Sequence, residues 1–220
     1  MHPSDKPFFW LASAEKASVQ AKDLSHRLLI SAQGGEPLKQ LTSVTRLLTD
    51  TIPPTLSPSP VSLEFVLADN LYPVDIDKGQ IKQVISNIVI NAKEAMPKGG
   101  RLTVTVCNLP ASHAHNTSLL RNRNFVHIAF QDQGIGIPPK NLSRIFDPYF
   151  TTKAMGSSRG KGLGLTICHS VITRHDGFIT VNSALGVGTT VSVYLPAADK
   201  SPHNHTDSDS LMKTPPPPGQ

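Results

Sequence analysis

The sequence predicts a two-layer α/β sandwich, in which a mixed β-sheet carries about three helices on one face, together with a separate N-terminal helix. Two observations lead to this prediction. Short segments with the apolar pattern of β-strands lie at residues 61–67, 101–108, 125–131, 178–183 and 189–195. Longer segments with helical character lie at residues 15–33, 43–50, 77–96 and 163–174.

The composition indicates one domain with extensions and suits an anionic ligand. The chain has 220 residues, of which 38% are hydrophobic, enough for one modest core. Its net charge of +5 includes no block of lysine or arginine, so nucleic-acid binding is not expected. No apolar run approaches the roughly 18 residues of a membrane span and no signal peptide is recognisable, so we expect a cytoplasmic protein. Cys107 and Cys168 stand in apolar patterns, which predicts buried free thiols in a reducing compartment.

The N-terminal part is predicted to contain one amphipathic helix, one short helix and a proline-rich loop. Apolar residues recur at helical spacing over residues 15–33, and the pair Gly34-Gly35 ends this helix. Such a helix cannot bury its apolar stripe alone, so we expect it to pack on a partner. Residues 43–50 predict a second short helix, and TIPPTLSPSP at residues 51–60 predicts a loop or linker.

The helix predicted at residues 77–96 carries two asparagines that solubility does not explain. Asp77 is a favourable N-cap, and Pro97 with two following glycines ends the helix. Asn87 and Asn91 are four residues apart and therefore lie next to each other on one face. Because asparagine is a poor helix former, this pair indicates a functional role. The predicted buried face consists of Ile81, Val84, Ile85, Ile88 and Ala92 or Ala95.

The stretch that begins at Asp132 predicts a purine-nucleotide pocket. Asp132 follows a predicted strand, and glycines at 134 and 136 and a short helix-like piece at residues 140–146 come next. A polar segment then leads to a second glycine cluster at residues 160–164. A carboxylate can accept a hydrogen bond from an exocyclic amine, glycines allow close approach of the backbone, and the segment between them can cover phosphates.

The sequence does not support several other common sites. The phosphate-binding pattern GxxxxGK[ST], the dinucleotide pattern GxGxxG and the motif set of serine/threonine kinases are all missing. His113 with His115, and His203 with His205, form H-x-H pairs in polar segments. Because neither pair has an evident third ligand, no metal site is expected there.

An ordered set of motifs resembles the ATP-binding domain of sensor histidine kinases over about residues 60–196. The motifs are Asn-x-x-x-Asn-Ala from Asn87, Asp-x-Gly-x-Gly from Asp132, Phe-Asp-Pro-Tyr-Phe from Phe146, Gly-x-Gly-Leu-Gly-Leu from Gly160, and Gly-x-Gly-Thr from Gly186. The wider superfamily includes gyrase B, MutL-type repair proteins and heat-shock chaperones. The phenylalanine motif and the Gly-Leu-Gly-Leu helix start favour the kinases, and the resemblance implies the Bergerat ATPase fold.

The resemblance implies Mg·ATP as the ligand and suggests a role for each motif residue. Asp132 would accept from the adenine amino group, with Gly134 and Gly136 at the pocket floor. Asn91, together with Asn87, would offer a side-chain oxygen to Mg²⁺, which prefers hard oxygen ligands. The phosphates would meet backbone N–H groups at the start of the last helix. The residues implied at the phosphates are Gly160, Gly162, Leu163, Gly164, Lys153, Lys161 and Thr189, with Arg159 as a further cation.

Two positions depart from the family pattern. Lys161 stands where the family often has a small hydroxyl residue, which leaves its role open. Glu94 stands where many of these kinases carry a basic residue, so one phosphate contact is expected to be missing. The aromatic residues Phe146, Tyr149 and Phe150 would brace the segment over the phosphates.

The resemblance also divides the chain into three parts. Residues 1–36 are expected to be a partial dimerisation segment, similar to the second dimerisation helix of sensor kinases. Residues 37–197 would form the ATP-binding domain, and residues 198–220, which are poor in apolar content, are expected to be a disordered tail.

The phosphorylated histidine of the family has no clear counterpart in the sequence. In the family it lies on a first dimerisation helix and is usually followed by an acidic residue. His26 is followed by Arg27, and His175-Asp176 coincides with a helix-ending position of the family. Phosphoryl transfer would therefore go to a histidine on another chain or in a missing segment.

Three functions stay open on the sequence alone. The first is the catalytic domain of a two-component sensor histidine kinase, with a response regulator downstream. The second is a non-catalytic ATP-binding module that forms dimers through residues 15–33 and regulates a full-length kinase. The third is a serine kinase of the anti-sigma type with the same fold.

Overall fold

The structure, a computed structural model, describes Trp10 and residues 35–111, 123–152 and 162–198. Within these ranges a five-stranded sheet packs against three helices, which confirms the predicted two-layer sandwich. The helix predicted at residues 15–33, the dimerisation it implies, both H-x-H pairs and residues 199–220 lie outside the described residues.

The described ranges contain seven strands and four helices. They are β1 (Gln40–Thr42), α1 (Val44–Leu56), β2 (Val61–Leu67), β3 (Val74–Ile76), α2 (Lys78–Ala95), β4 (Gly100–Leu109), β5 (Phe125–Asp132), α3 (Pro139–Leu142), α4 (Gly164–Arg174), β6 (Phe178–Ala184) and β7 (Gly188–Pro196). None of the helices in the described ranges has the length and apolar character that crossing a bilayer requires.

The main sheet has the strand order β2-β4-β5-β7-β6. β2 runs parallel to β4 and the other neighbouring strands are antiparallel, so the sheet is mixed as predicted. The last residue of the central strand β5, Asp132, pairs with Leu102 of β4 and Thr189 of β7. β1 and β3 form a small separate sheet that the sequence did not predict, because strands of three residues are too short to show periodicity.

The core lies between the main sheet and the helices, and α2 contacts both α1 and α4. The predicted buried face of α2 is confirmed at Ile81, Val84, Ile85, Ile88 and Ala92, and Val89 is buried as well. Ala95 is only half-buried, because it lies against the candidate site described below.

The prediction of a loop over residues 51–60 is wrong for its first part. Helix α1 continues to Leu56 with Pro53 and Pro54 inside it. Proline lacks the N–H of the helical bond, so the carbonyls four residues earlier, at Thr49 and Asp50, lose a partner. Both residues are exposed, where water can hydrogen-bond to them, and burial of the side chains in the same turns stabilises the helix.

His175 joins the N-terminus of α2 to the C-terminus of α4. The predicted N-cap is confirmed, since Asp77 Oδ1 accepts from the Gln80 N–H at 3.0 Å. The Asp77 N–H donates to His175 Nε2 at 3.0 Å, and His175 Nδ1 lies 2.8 Å from the Val171 carbonyl oxygen. Nε2 must therefore be the acceptor and Nδ1 the donor, so the ring is neutral in the folded protein.

Acidification is expected to destabilise the domain through His175. Burial lowers the pKa of His175 below its ordinary value of 6.5, so the unfolded chain takes up the proton first. The stabilisation is complete above about pH 6.5 and is lost as the pH falls toward the lowered value. In urea unfolding, His175→Gln, which keeps an acceptor near the position of Nε2, should lose less stability between about pH 7.5 and 5.5 than the wild type. If the wild type and His175→Gln lost the same free energy of unfolding over this pH range, His175 would not be the group responsible.

Candidate nucleotide site

Asp132 lies at the end of β5, and only one of its two carboxylate oxygens is hydrogen-bonded within the described residues. Its Oδ1 accepts from the Gly134 N–H at 2.8 Å and from the Thr189 N–H at 3.2 Å. In the described part of the chain, Oδ2 has no hydrogen-bond partner. Burial raises the pKa of Asp132, and the two N–H groups partly offset this by favouring the charged form. The site therefore presents one fixed oxygen that can accept a hydrogen bond from a ligand.

The glycine turn after Asp132 lies directly against the C-terminal end of α2. The Ile135 N–H donates to the Ala95 carbonyl oxygen at 3.2 Å. A Cβ atom on Gly134 would lie 2.6 Å from Ala95 Cβ, so only glycine fits there. Gly136 has a φ of +68°, and a Cβ on it would meet the Ala184 carbonyl oxygen of β6. This turn therefore closes the space between α2 and the β6–β7 hairpin.

Thr189 acts on Asp132 through its backbone and not through its side chain. Its hydroxyl lies 2.9 Å from Ser183 Oγ, and Ser183 Oγ also accepts from the Ile137 N–H at 2.8 Å. Ser183 thus connects the hairpin to the glycine turn, a role that the sequence analysis missed. No local signal indicates it, because the contact joins segments far apart in the chain.

One face of α2 runs from the glycine turn to the start of α4. Asn87, Asn91 and Ala95 are spaced by four residues and share this face. At one end Ala95 contacts the glycine turn, and at the other Asn87 Nδ2 donates to the Gly164 carbonyl oxygen at 3.3 Å. A Cβ on Gly164 would lie 3.9 Å from Asn91 Nδ2. The helix rises about 12 Å from residue 87 to residue 95, a length suited to a nucleotide with its base at Asp132.

The two asparagines have the donor atoms that a magnesium ion requires. Because Asn87 uses its amide nitrogen toward Gly164, its side-chain oxygen is available. Asn91 is half-buried, and its side chain makes no hydrogen bond to any residue in the described ranges. Amide oxygens are hard ligands, and one or two suffice because magnesium usually keeps several waters. The described residues contain no cluster of three His, Cys, Asp or Glu that could form a different metal site.

The start of α4 provides free backbone donors beside these asparagines. Leu163 is the N-cap residue, and the first N–H groups of a helix have no partner within it. Gly162, with a φ of +65°, fits so closely that a Cβ on it would lie 2.5 Å from the Tyr149 carbonyl carbon. The expected phosphate residues Lys153, Gly160 and Lys161 lie outside the described residues, as does Arg159.

The same region matches a known family. The model of the family described as "Histidine kinase-, DNA gyrase B-, and HSP90-like ATPase" matches residues 76–199, more than half of the chain. The chain belongs to this family. It contains the ATP-binding catalytic domain of a two-component sensor histidine kinase.

The kinase domain is similar to named sensor kinases. It is 33% identical over 197 residues to the sensor kinase CckA of Brucella abortus (strain 2308), covering 88% of this chain and 21% of CckA. It is 36% identical over 209 residues to sporulation kinase C of Bacillus subtilis (strain 168), covering 91% of this chain and 43% of that kinase. The solved catalytic domain of histidine kinase ThkA shares the fold, with a TM-score of 0.58 at 24% identity over 72% of this chain and 95% of ThkA's. The chain thus spans about a fifth to under half of these curated relatives.

The aromatic residues of the kinase domain differ in how firmly they are held. The Phe146 ring lies 5.3 Å from the His169 ring of α4, and the Arg144 guanidinium lies 4.7 Å from the centre of the Phe150 ring. Tyr149 is 58% exposed, so it is not packed as a brace. The helix-like piece predicted at residues 140–146 is a helix only at Pro139–Leu142, and turns follow it.

The two cysteines of the kinase domain differ in how deeply they are buried. Cys168 is fully buried as predicted, and its burial raises its pKa to about 12. Cys107 is only half-buried, with its sulfur 3.8 Å from His127 Nδ1, and burial raises its pKa as well. Both are free thiols.

Proposed function

We propose that this domain binds Mg·ATP along the inner face of α2 and supplies the γ-phosphoryl group for transfer to a histidine on another chain or in a segment missing from this sequence. The observation that carries the proposal is the arrangement of one free carboxylate oxygen, two amides and a helix N-terminus along this one face. Asp132 Oδ2 accepts from the adenine amino group, since Oδ1 is already used by two backbone N–H groups.

The phosphate half of the nucleotide lies toward the start of α4. Asn91 and Asn87 would hold Mg²⁺ through their side-chain oxygens, and the ion would supply positive charge beside the phosphates. The first N–H groups of α4, near Gly164, face the same end of the site and favour an anion. Lys153, Gly160, Gly162, Leu163 and Lys161 are proposed as further phosphate contacts, as expected from the motif set.

The protein contributes to phosphoryl transfer by positioning and charge neutralisation. His175 is an unsuitable acceptor because it is buried and both of its ring nitrogens are engaged. The acceptor histidine therefore comes from another chain or from another part of the full protein, and a response regulator is the proposed downstream partner. This protein, mixed with radiolabelled ATP, should label a full-length kinase whose own ATP site has been inactivated. Acid-labile labelling of this protein alone would contradict transfer to an outside histidine.

Removal of the Asn91 amide is expected to weaken the binding of Mg·ATP selectively. Asn91→Ala should reduce affinity for ATP in magnesium by about tenfold or more, because a metal ligand is lost. Binding of ATP in the presence of a chelator should change much less. Isothermal titration calorimetry measures both affinities.

Lys82→Ala is the matched control for this variant. Lys82 is exposed, and nine residues of separation place it on the opposite face of α2 from Asn91. The Lys82→Ala variant should bind Mg·ATP with wild-type affinity. If Asn91→Ala lost the same affinity with and without magnesium, Asn91 would not be a metal ligand.

A further inference from the structure

Thr166 makes a hydrogen bond that leaves its own helix. It lies in the first turn of α4, is only 4% exposed, and its hydroxyl donates to the Phe146 carbonyl oxygen at 3.0 Å. A threonine hydroxyl in a helix commonly bonds to a carbonyl of the preceding turn, as Thr173 does with His169 at 2.8 Å. The bond of Thr166 instead joins two separate segments of the chain.

Two further contacts hold the same two segments together. The Phe146 ring packs on His169 of α4, one turn after Thr166. Gly162 lies so close to the backbone of Tyr149 and Phe150 that no side chain fits between them. The turn at residues 143–150 is therefore fixed to the first turn of α4, and the Thr166 hydroxyl makes the one polar side-chain bond between them in the described ranges.

We propose that Thr166 is a positioning residue for the phosphate half of the nucleotide site. Its hydroxyl fixes the turn at residues 143–150 against the first turn of α4, and that first turn lies beside Asn87 and Asn91. The adenine end is built from Asp132, Gly134 and Thr189, none of which contacts Thr166. This inference rests on the proposed function, because it assigns phosphates to the α4 end.

Because Thr166 contacts neither Asp132, Gly134 nor Thr189 at the adenine end, its replacement should affect only ligands that carry phosphates. Thr166→Val keeps the shape of the side chain and removes the hydroxyl. It should weaken binding of Mg·ATP by about threefold to tenfold, while binding of adenosine, which has no phosphates, stays unchanged. Thr166→Ser restores the hydroxyl and should recover most of the ATP affinity. Calorimetric titrations with ATP and with adenosine measure both effects.

Thr173→Val is the matched control, since it removes an exposed hydroxyl that bonds only within α4. It should bind both ligands as the wild type does. If Thr166→Val does not fold, Thr166→Ala can replace it, because it also removes the hydroxyl. Thr166→Ala should likewise weaken binding of Mg·ATP and leave binding of adenosine unchanged. Equal losses for ATP and adenosine, or no loss for either, would overturn the positioning role. A wild-type protein that binds no ATP would instead overturn the proposed function.

Discussion

Replacing Asp132 with asparagine is expected to weaken ATP binding at least about tenfold without unfolding the domain. The asparagine oxygen can still accept from the Gly134 and Thr189 N–H groups, so the local structure is kept. Its NH₂ group then replaces Oδ2 and faces the adenine amino group, donor against donor. An unpaired buried polar group costs about 1–3 kcal/mol, and 1.4 kcal/mol corresponds to about tenfold in affinity.

Asp75→Asn is the control for this prediction. Asp75 is exposed in β3, away from the site, and loses the same charge when replaced. In isothermal titration calorimetry, the Asp75→Asn variant should bind ATP with wild-type affinity. An unchanged dissociation constant for Asp132→Asn would show that the adenine does not bind at this carboxylate.

Replacing Gly136 with alanine is expected to lower the free energy of unfolding by about 3 kcal/mol or more. A residue with a side chain at a φ of +68° is strained by about 1–2 kcal/mol. The added Cβ would also collide with the Ala184 carbonyl oxygen, a backbone atom that cannot move without distorting β6. Overpacking of this kind costs about 1–3 kcal/mol more. Urea unfolding monitored by circular dichroism measures the change.

Gly186→Ala separates the backbone strain from the steric collision. Gly186 has a similar φ of +78°, but a Cβ on it would meet nothing within 4 Å. Gly186→Ala should therefore lower the free energy of unfolding only by the backbone strain, about 1–2 kcal/mol. If both variants lost the same stability, the close approach between the glycine turn and β6 would have no energetic consequence.

Much of the fold was predictable because its signals are local. The apolar periodicity of α2, the Asp77 cap and the alternation in the five main strands each depend on neighbouring residues, and each is confirmed. The extension of α1 through Pro53 and Pro54 was not predictable in this way. Its stability comes from side chains buried against the rest of the domain, and this outweighs the local preference of proline.

By itself, the sequence determined the family and the residue types at the site, because the motifs are short stretches in a fixed order. Only the tertiary structure decided which atoms are free to bind. The Oδ2 of Asp132 is left available because Oδ1 is taken by the N–H of Thr189, which is 57 residues away. The start of α4 faces Asn87 and Asn91 because α2 and α4 pack side by side. Contacts between such distant segments depend on how whole elements pack, and no local pattern encodes them.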